Sequence, residues 1–597
     1  VALAEIDSAN TLVELFLSRA DEKGDAPFLA AKKDGEWVTR SWRATAEQVC
    51  LIAEGLRRLG LNDGDRVCIV SENRPEWCIA DLAIMAAGCV SVPTYITNTP
   101  RDHAHIFDNS GAGAVFVSTE KLLAPVHNAI QSTGLIEHVI GIEDLRRHQS
   151  GPFDYHGWDT LTSGDAAEAR AAVDARMAGI GRDTTACIIY TSGTGGAPRG
   201  VLQHHGAILC NVAGAAEILL EDFGIKDERF LSFLPASHAY EHTGGQFLPI
   251  GVGAEIYYSE GLEKLASNIE ETRPTIMVVV PRLFEVLRTR IMKTVEKQGK
   301  LANYLMDKAL MISEGDRKRK RDKPMDFLIE KTLRPKIRAR FGGRIKAMVS
   351  GGAPLNPDVG NFFEAMGLTM LQGYGQTEAG PVISCNRPKT GLKMDTVGPP
   401  MRGVEVKIAD DGEILVRGEL VMHGYWRNEA ETARTIVDGW LHTGDIGHLD
   451  EAGRIVITDR KKDMIVNDKG DNVAPQKIEG MLTLQPEIAQ AMVSGDKRPY
   501  VVGLIVPDPE WAVEWCKAND EKFDMAALQD LPAFKTAVRA AVDRVNKDLS
   551  VIEKVRQFAF ADEGFTIENE EMTPSMKIRR HKIRDRYQDR IVGLYRG

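Results

Sequence analysis

Apolar residues follow two rhythms that alternate through the first half of the chain. Residues 10–21 repeat them at helical spacing, with Leu12, Leu15, Phe16 and Ala20 on one face, and residues 77–88 form a mostly apolar helix candidate. Among them stand short β-branched runs: Arg66-Val-Cys-Ile-Val70, Ala114-Val-Phe-Val117, His138-Val-Ile-Gly-Ile142 and Ala186-Cys-Ile-Ile-Tyr190. Runs of this length and composition read as buried strands. Their alternation with helices implies open sheets covered by helices. Ile276-Met-Val-Val-Val280 is a further buried strand, stopped by Pro281, and residues 283–330 are long, helical and highly charged. From about Gly398 the rhythm becomes short alternating strands, 405–408, 413–417 and 454–457, separated by Asp/Gly turns such as Asp410-Asp-Gly412. That pattern predicts a small β-rich subdomain. Beyond Asp459-Arg-Lys-Lys462 a mixed α+β segment runs to the end. The charged stretch 460–462 lacks apolar anchors, which places the main domain boundary there and divides the chain into 1–460 and 461–597.

At 597 residues the chain exceeds what one core supports, so at least two domains are expected. Its apolar share of 43% and charged share of 27% are those of a globular protein. A net charge of −11 argues against nucleic acid as a partner. The eight cysteines are scattered, with no CxxC pair and no Cys/His cluster, and read as reduced thiols of a cytoplasmic protein. The N-terminal stretch has an early acid and no long apolar core, unlike a signal peptide, and no apolar run approaches the ~20 residues that span a bilayer. The sequence carries no reading of the oligomeric state.

The strand at 186–190 runs into Tyr190-Thr-Ser-Gly-Thr-Gly-Gly-Ala-Pro-Arg-Gly200, rich in hydroxyls and glycines with one cation. Glycines let the backbone turn its N–H groups toward an anion and hydroxyls add donors, so the loop suits a polyphosphate. It matches neither G-x-x-x-x-G-K-[ST] nor G-x-G-x-x-G. Alone, such a loop reads more readily as a surface turn than as a phosphate cradle. Four motifs downstream decide otherwise: Ser350-Gly-Gly-Ala-Pro354, Gly373-Tyr-Gly-Gln-Thr-Glu378, Trp440-Leu-His-Thr-Gly-Asp445 and Thr573-Pro-Ser-Met-Lys-Ile-Arg-Arg580.

In this order and spacing the five motifs resemble the adenylate-forming (AMP-binding) superfamily of acyl-CoA synthetases, luciferases and peptide-synthetase adenylation domains, from Leu12 to Tyr587. Within it the chain is most similar to long-chain acyl-CoA synthetases, through Leu234-Pro-Ala-Ser-His-Ala-Tyr-Glu241, Val280-Pro-Arg-Leu-Phe-Glu285, Ser350-Gly-Gly-Ala-Pro-Leu355, Thr573-Pro-Ser-Met-Lys577 and the charged helical region 282–342. The resemblance implies a multi-domain α/β fold: a large N-terminal domain of two βαβ-type sheets plus a small β-barrel, then a small mobile α+β C-terminal domain. It implies a two-step ligase. A fatty-acid carboxylate attacks the α-phosphate of ATP, with Mg²⁺ as cofactor, and coenzyme A then displaces AMP from the acyl-adenylate.

Carried over by position, Thr191, Ser192, Gly193 and Thr194 resemble the cradle of the β- and γ-phosphates. Glu378 resembles the Mg²⁺ ligand, and Thr377 a donor to the α-phosphate. Gly352, Ala353, Pro354 and Tyr374 resemble the walls of the adenine slot, Tyr374 reading equally as a core aromatic. Asp445 resembles the carboxylate that takes both ribose hydroxyls, since one acceptor group suits a vicinal diol, and Arg460 helps fix the ribose. Lys577 resembles the adenylation lysine and His238 a gate near the substrate carboxylate. Glu241 and His242 read either as a polar cluster with His238 or as a helix N-terminal hydrogen-bond set. Lys462 resembles the hinge, and Gly470 a point on the coenzyme A path. Three positions depart from the family pattern: Gly195 stands for Thr, Arg199 for Lys, and Gln376 where long-chain members often carry Leu.

The acyl pocket is expected between residues 243–256 and Gly351–Gly352, where Gly244, Gly245, Gly251 and Gly253 either leave room for a thin tail or pack closely. The run Arg317-Lys-Arg-Lys-Arg321 marks a candidate peripheral contact with anionic lipid, or a solvated helix face. Competing readings are an acyl-AMP ligase serving a carrier protein, a ligase for an aryl or sterol-side-chain acid, and a non-catalytic nucleotide-binding scaffold. Thioester formation with coenzyme A separates the first from a coenzyme A ligase, and pyrophosphate release with a panel of acids separates the others.

Overall fold

The computed structural model describes residues 3–145, 151–191, 197–314, 323–461, 463–573 and 576–596. The apolar runs build two eight-stranded sheets. The first has the order Gly424–Tyr425, Arg199–His204, Thr185–Thr191, Val90–Pro93, Arg66–Val70, Ala114–Val117, His138–Gly141, Asp154–Gly157. From Thr185–Thr191 onward its neighbours are parallel, and Arg199–His204 returns antiparallel beside Thr185–Thr191. Every residue of Val90–Pro93 and Ala114–Val117 is buried. Strands covered on both faces need apolar side chains at every position, which is why these read as continuous runs.

The second sheet has the order Val382–Cys385, Met370–Gly375, Ala347–Ser350, Ile276–Val279, Arg229–Ser232, Glu255–Tyr258, Pro27–Lys33, Glu36–Ser41. It is parallel inside and antiparallel at both edges. The charged region resolves into three helices, Pro281–Lys297, Lys300–Glu314 and Lys323–Arg340, within the crossover between the adjacent parallel strands Ile276–Val279 and Ala347–Ser350. Their inner residues share one core with Met277 and Met348.

Helix boundaries moved by two residues for local reasons. The helix expected at 10–21 runs Leu12–Lys23, opened by a capping box in which Thr11 accepts from the Glu14 N–H. The helix expected at 77–88 runs Pro75–Ala86, because proline's missing N–H is no loss at a first helical position. All of its residues except Glu76 are buried, as its all-round apolar sequence requires.

The β-rich subdomain is an antiparallel sheet of Glu405–Ile408, Glu413–Arg417, Trp440–Leu449 and Ile436–Val437, with Ile455–Arg460 also paired to Trp440–Leu449. Where the resemblance implies a barrel, the path recorded among the described strands is open. The edge strand Ile436–Val437 is two residues long and pairs with Trp440–Leu449 rather than with the opposite edge. The C-terminal part builds its own core on a three-stranded sheet, Ile488–Ser494, Val501–Pro507 and Val555–Phe560, packed by Pro475–Leu482 and Pro532–Lys547. All eight cysteines are free thiols, and no helix of the described residues is long and apolar enough to cross a membrane.

Candidate active site

Three of the five motifs singled out in the sequence leave the carboxyl end of a strand, whereas Asp445 lies within Trp440–Leu449 and Lys577 sits on a turn of the C-terminal part. Thr191 ends Thr185–Thr191, Gly351–Pro354 follow Ala347–Ser350, and Gln376–Glu378 follow Met370–Gly375. In open α/β sheets, ligands collect outside these ends. The Thr191 hydroxyl is buried with no hydrogen-bond partner among the described residues, so it is a donor available to a phosphate. Ser192, Gly193, Thr194 and Gly195 lie outside the described residues, as does Lys462.

Arg199, at the far end of that loop, is engaged from the opposite direction. Its guanidinium pairs with Glu431 and lies 4.4 Å from the centre of the Tyr425 ring. The Tyr425 hydroxyl donates to Glu378 Oε1 at 2.8 Å. The backbone on either side of this carboxylate is also held: Gln203 Nε2 donates to the Thr377 carbonyl at 2.7 Å, and the Met422 N–H to the Glu378 carbonyl at 3.0 Å. A lysine would supply charge at position 199 but neither the planar stack nor the fork. Glu431, Tyr425 and Gln203 were not singled out in the sequence. They stand 53, 47 and 175 residues from Glu378, and no local pattern joins them to it.

Asp445 faces Arg460 across the antiparallel pair Trp440–Leu449 and Ile455–Arg460. Arg460 Nε lies 3.1 Å from Asp445 Oδ1, and the Tyr374 hydroxyl donates to Asp445 Oδ2 at 2.6 Å. Burial opposes the Arg460 charge, but Asp445 and other nearby anions outweigh it and hold its pKa above the ordinary range. Tyr374 is only 8% exposed and belongs to the core beneath the β-rich sheet. Its tethered hydroxyl makes it a positioner of Asp445. Ala353 and Pro354 are exposed, and Gly352 has no atom within 4 Å of where a Cβ would stand.

Lys577 arrives from the C-terminal part on a tight turn. The Thr573 N–H donates to the Lys577 carbonyl at 2.7 Å, the Lys577 N–H to the Thr573 hydroxyl at 3.0 Å, and Met572 bridges Ile578. Two of its basic neighbours are paired, Arg580 with the buried Glu479 and Lys582 with Glu570. Burial, and then Arg460, push the Lys577 ammonium down to about 8, while Asp445 and Glu378 pull the other way. Lys577, Arg460, Asp445 and Glu378 therefore share one electrostatic neighbourhood. His238 belongs to it too: burial, then the Lys577 charge, push its imidazole down to about 3, so it is neutral near pH 7.

His238, Glu241 and His242 do not form a cluster. His238 caps the following turn, its Nδ1 accepting from the Tyr240 N–H at 3.2 Å. Glu241 accepts from Ser232, and His242 Nε2 bonds Asp81 at 2.8 Å. Of the glycines expected at the acyl pocket, all but Gly352 are close-packing positions. A Cβ at Gly351 would stand 2.7 Å from the Tyr240 ring, whose hydroxyl bonds the Val349 carbonyl, and one at Gly244 would stand 3.2 Å from Val278. Tyr240 thus occupies the notch in which the sequence placed the acyl chain. A cleft of about 1280 Å³ lies to one side, lined by Arg40, Arg74, Tyr95 and Ser237, and meets this neighbourhood at Ser237 beside His238. Gly470 tops the small hairpin of Ile465–Val466 and Asn472–Val473 with φ +88 and open space around it. The hairpin bonds to Asp496 and Arg498 within the C-terminal part.

The donor set fits the groups implied. An orphaned hydroxyl at Thr191 suits a phosphate. No cluster of three or more metal-ligating side chains occurs among the described residues, and a lone half-buried carboxylate at Glu378 suits Mg²⁺, which usually takes one or two carboxylates plus substrate phosphates.

Residues 16–426 match the family model of AMP-binding enzymes, and residues 462–597 that of the AMP-binding enzyme C-terminal domain. The long-chain-fatty-acid–CoA ligase FadD15 of Mycobacterium tuberculosis is 35% identical over 96% of this chain and 95% of its own length. The peroxisomal long chain acyl-CoA synthetase 6 of Arabidopsis thaliana is 31% identical over 94% of this chain and 82% of its own. Among solved structures, the A domain of a carboxylic acid reductase from Segniliparus rugosus, in complex with AMP and a co-purified carboxylic acid, superposes with a TM-score of 0.78 at 20% identity, covering 99% of this chain and 96% of that one.

Proposed function

The chain belongs to the AMP-binding enzyme family, and we propose that it activates a medium-to-long-chain fatty acid with ATP and transfers the acyl group to coenzyme A, releasing AMP and pyrophosphate. The observation that carries this reading is the electrostatic neighbourhood that Lys577, from the C-terminal part, shares with Glu378 and with the paired Asp445 and Arg460. Likeness to relatives named long-chain fatty-acid–CoA ligases supports the substrate class. Pyrophosphate release with a series of fatty acids, followed by thioester formation on adding coenzyme A, tests it. Adenylation without thioester formation would favour a carrier-protein ligase, and release with aryl acids alone would move the substrate class.

In the first step a carboxylate oxygen bonds to the α-phosphorus and pyrophosphate leaves. The two reactants are both anions, and at ~4 Å with an effective dielectric near 20 they repel by about 4 kcal/mol. Lys577 bridges them and offsets that repulsion. Thr191, with Ser192, Gly193 and Thr194, holds the β- and γ-phosphates, Thr377 donates to the α-phosphate, and Asp445, set by Tyr374 and Arg460, takes the ribose. Gly352, Ala353 and Pro354 flank the adenine. Glu378 would hold Mg²⁺, which when bound supplies positive charge to the phosphate oxygens. His238 is neutral, so it lines the path to the carboxylate without adding charge. In the second step the coenzyme A sulfur bonds to the acyl carbonyl carbon and AMP leaves. The acid is drawn from a lipid surface that the protein touches peripherally.

Tyr425 and Arg199 position Glu378. Tyr425→Phe should raise the Mg²⁺ requirement at least about tenfold, the worth of roughly one hydrogen bond to a charged group at about 1.5 kcal/mol, with ATP saturation otherwise kept. An unchanged Mg²⁺ titration of pyrophosphate release would show that the hydroxyl does not orient the carboxylate.

The two steps need different faces at one acyl carbon, and Lys577 covers one of them. We assign the exchange to rotation of residues 461–597 about Lys462, which would bring the Gly470 hairpin to the cleft with room for the pantetheine arm. Proline fixes φ, so Lys462→Pro should keep adenylation and lose thioester formation. Equal loss of both half-reactions, or of neither, would refute the hinge.

A further inference from the structure

The helices inserted between Ile276–Val279 and Ala347–Ser350 leave an unusual share of large apolar side chains uncovered. Of the seventeen exposed large hydrophobics among the described residues, five fall here: Leu301, Tyr304, Met311, Phe327 and Leu328. They are ordered rather than scattered. On Lys300–Glu314, Leu301, Tyr304 and Met311 recur at helical spacing on one face, while Leu305, Met306, Ala309 and Ile312 are buried on the other. On Lys323–Arg340, Phe327 and Leu328 face outward while Ile329, Leu333 and Ile337 face in. Both inner sets join one core, so both outer stripes point away from it.

The charge of this layer runs against that of the molecule. The helices 300–314 and 323–340 together hold 8 Lys and Arg against 4 Asp and Glu, a net +4 in a chain whose total is −11. Cations sit on the apolar stripes themselves: the Lys308 ammonium lies 5.5 Å from the centre of the Tyr304 ring and that of Lys331 5.7 Å from Phe327. Lys300, Lys308, Lys323 and Lys331 make no ion pair among the described residues. A polyanion such as nucleic acid would use the lysines but leave Leu301, Met311, Phe327 and Leu328 against a charged backbone. A lipid headgroup layer takes both, the apolar tips entering the acyl boundary while the ammonium groups meet phosphates.

We propose that the outer face of the helices Lys300–Glu314 and Lys323–Arg340 docks on an anionic lipid bilayer. This locates the peripheral contact of the fatty-acid ligase reading and rests on that reading only for its purpose. The docking itself requires no catalysis, so a protein that binds vesicles without ligase activity would sink the function and leave the surface. The test is co-sedimentation with phosphatidylcholine vesicles containing about 30 mol% phosphatidylglycerol, compared with phosphatidylcholine alone. The native protein should partition to the anionic vesicles and be released as salt rises from about 0.05 to about 0.5 M. Replacing Leu301, Tyr304, Phe327 and Leu328 together by Ser should lower partitioning at least about tenfold with the thermal melt retained. Charge reversal by Lys300→Glu, Lys308→Glu and Lys331→Glu, which touches no buried residue, should do the same. Equal binding to both vesicle types, no binding by the native protein, or full binding by both variants would overturn the proposal. So would variants that convert a native dimer to monomer without changing vesicle binding, since the face would then cover a second copy.

Discussion

Lys577→Ala is expected to slow acyl-AMP formation about a thousandfold while leaving thioester formation from supplied acyl-AMP within a few-fold of native. The factor follows from the charge balance: about 4 kcal/mol of anion repulsion, at 1.36 kcal/mol per decade, is roughly three decades. The second half-reaction brings a thiolate to a carbonyl carbon and does not need that cation. The same residue sets a pH limit. Burial, then Arg460, hold the Lys577 pKa at about 8, so the cation is present below that pH and is lost above it. For adenylation, kcat/KM should therefore fall on the alkaline side of about pH 8, because it reports the free enzyme. The limb in kcat should sit higher, since bound triphosphate favours the protonated amine. Lys577→Arg should flatten the alkaline limb even if it is slow. Quenched-flow measurement of acyl-AMP across pH checks both. A mutant that adenylates at near-native rate, or a native profile flat to pH 10, removes Lys577 from the role.

Asp445→Ala should weaken AMP and ATP binding about a hundredfold and leave acyl-chain preference unchanged. Two hydrogen bonds from ribose hydroxyls to a carboxylate account for that loss at roughly 1.5 kcal/mol each. The residue also has internal work. It is 3% exposed and accepts from both Arg460 and Tyr374, so its removal strands a guanidinium and a phenol, and stability should fall by about 2–3 kcal/mol as well. Asp445→Asn separates the two effects. It keeps the shape and an acceptor for Tyr374, so it should recover much of the melt while restoring little affinity. Calorimetry with AMP decides, and an alanine variant of native nucleotide affinity would place the ribose elsewhere.

Much of this was legible in the chain. Buried parallel strands have no polar face, so Arg66–Val70, Ala114–Val117 and Ile276–Val279 are visible as unbroken apolar runs and stand where their runs ended or within one residue of it. The site motifs were legible for a related reason: each is a short run of consecutive residues, so its chemistry is written in the sequence itself. Helix ends were less certain because caps act through single residues, as Thr11 and Pro75 show.

What the sequence could not decide is which partner each polar side chain takes. His238, Glu241 and His242 are neighbours in the chain, and their spacing allowed a cluster. The helical turn instead sends Glu241 to Ser232 and His242 to Asp81, 161 residues away. Arg199 reads as a loop cation aimed at phosphate. It is claimed by Glu431 and Tyr425, which reach it because Gly424–Tyr425 adds to the sheet edge beside Arg199–His204. The glycines near 244–253 and at 351 allowed an open channel or close packing, and the space beside them is taken by Val278, Glu241, Val212, Lys23 and Tyr240. Local pattern fixes which face of an element is buried, because burial depends on side-chain type and period alone. Pairing between buried polar groups depends on how elements hundreds of residues apart are brought into register, and that is set only when the sheets close.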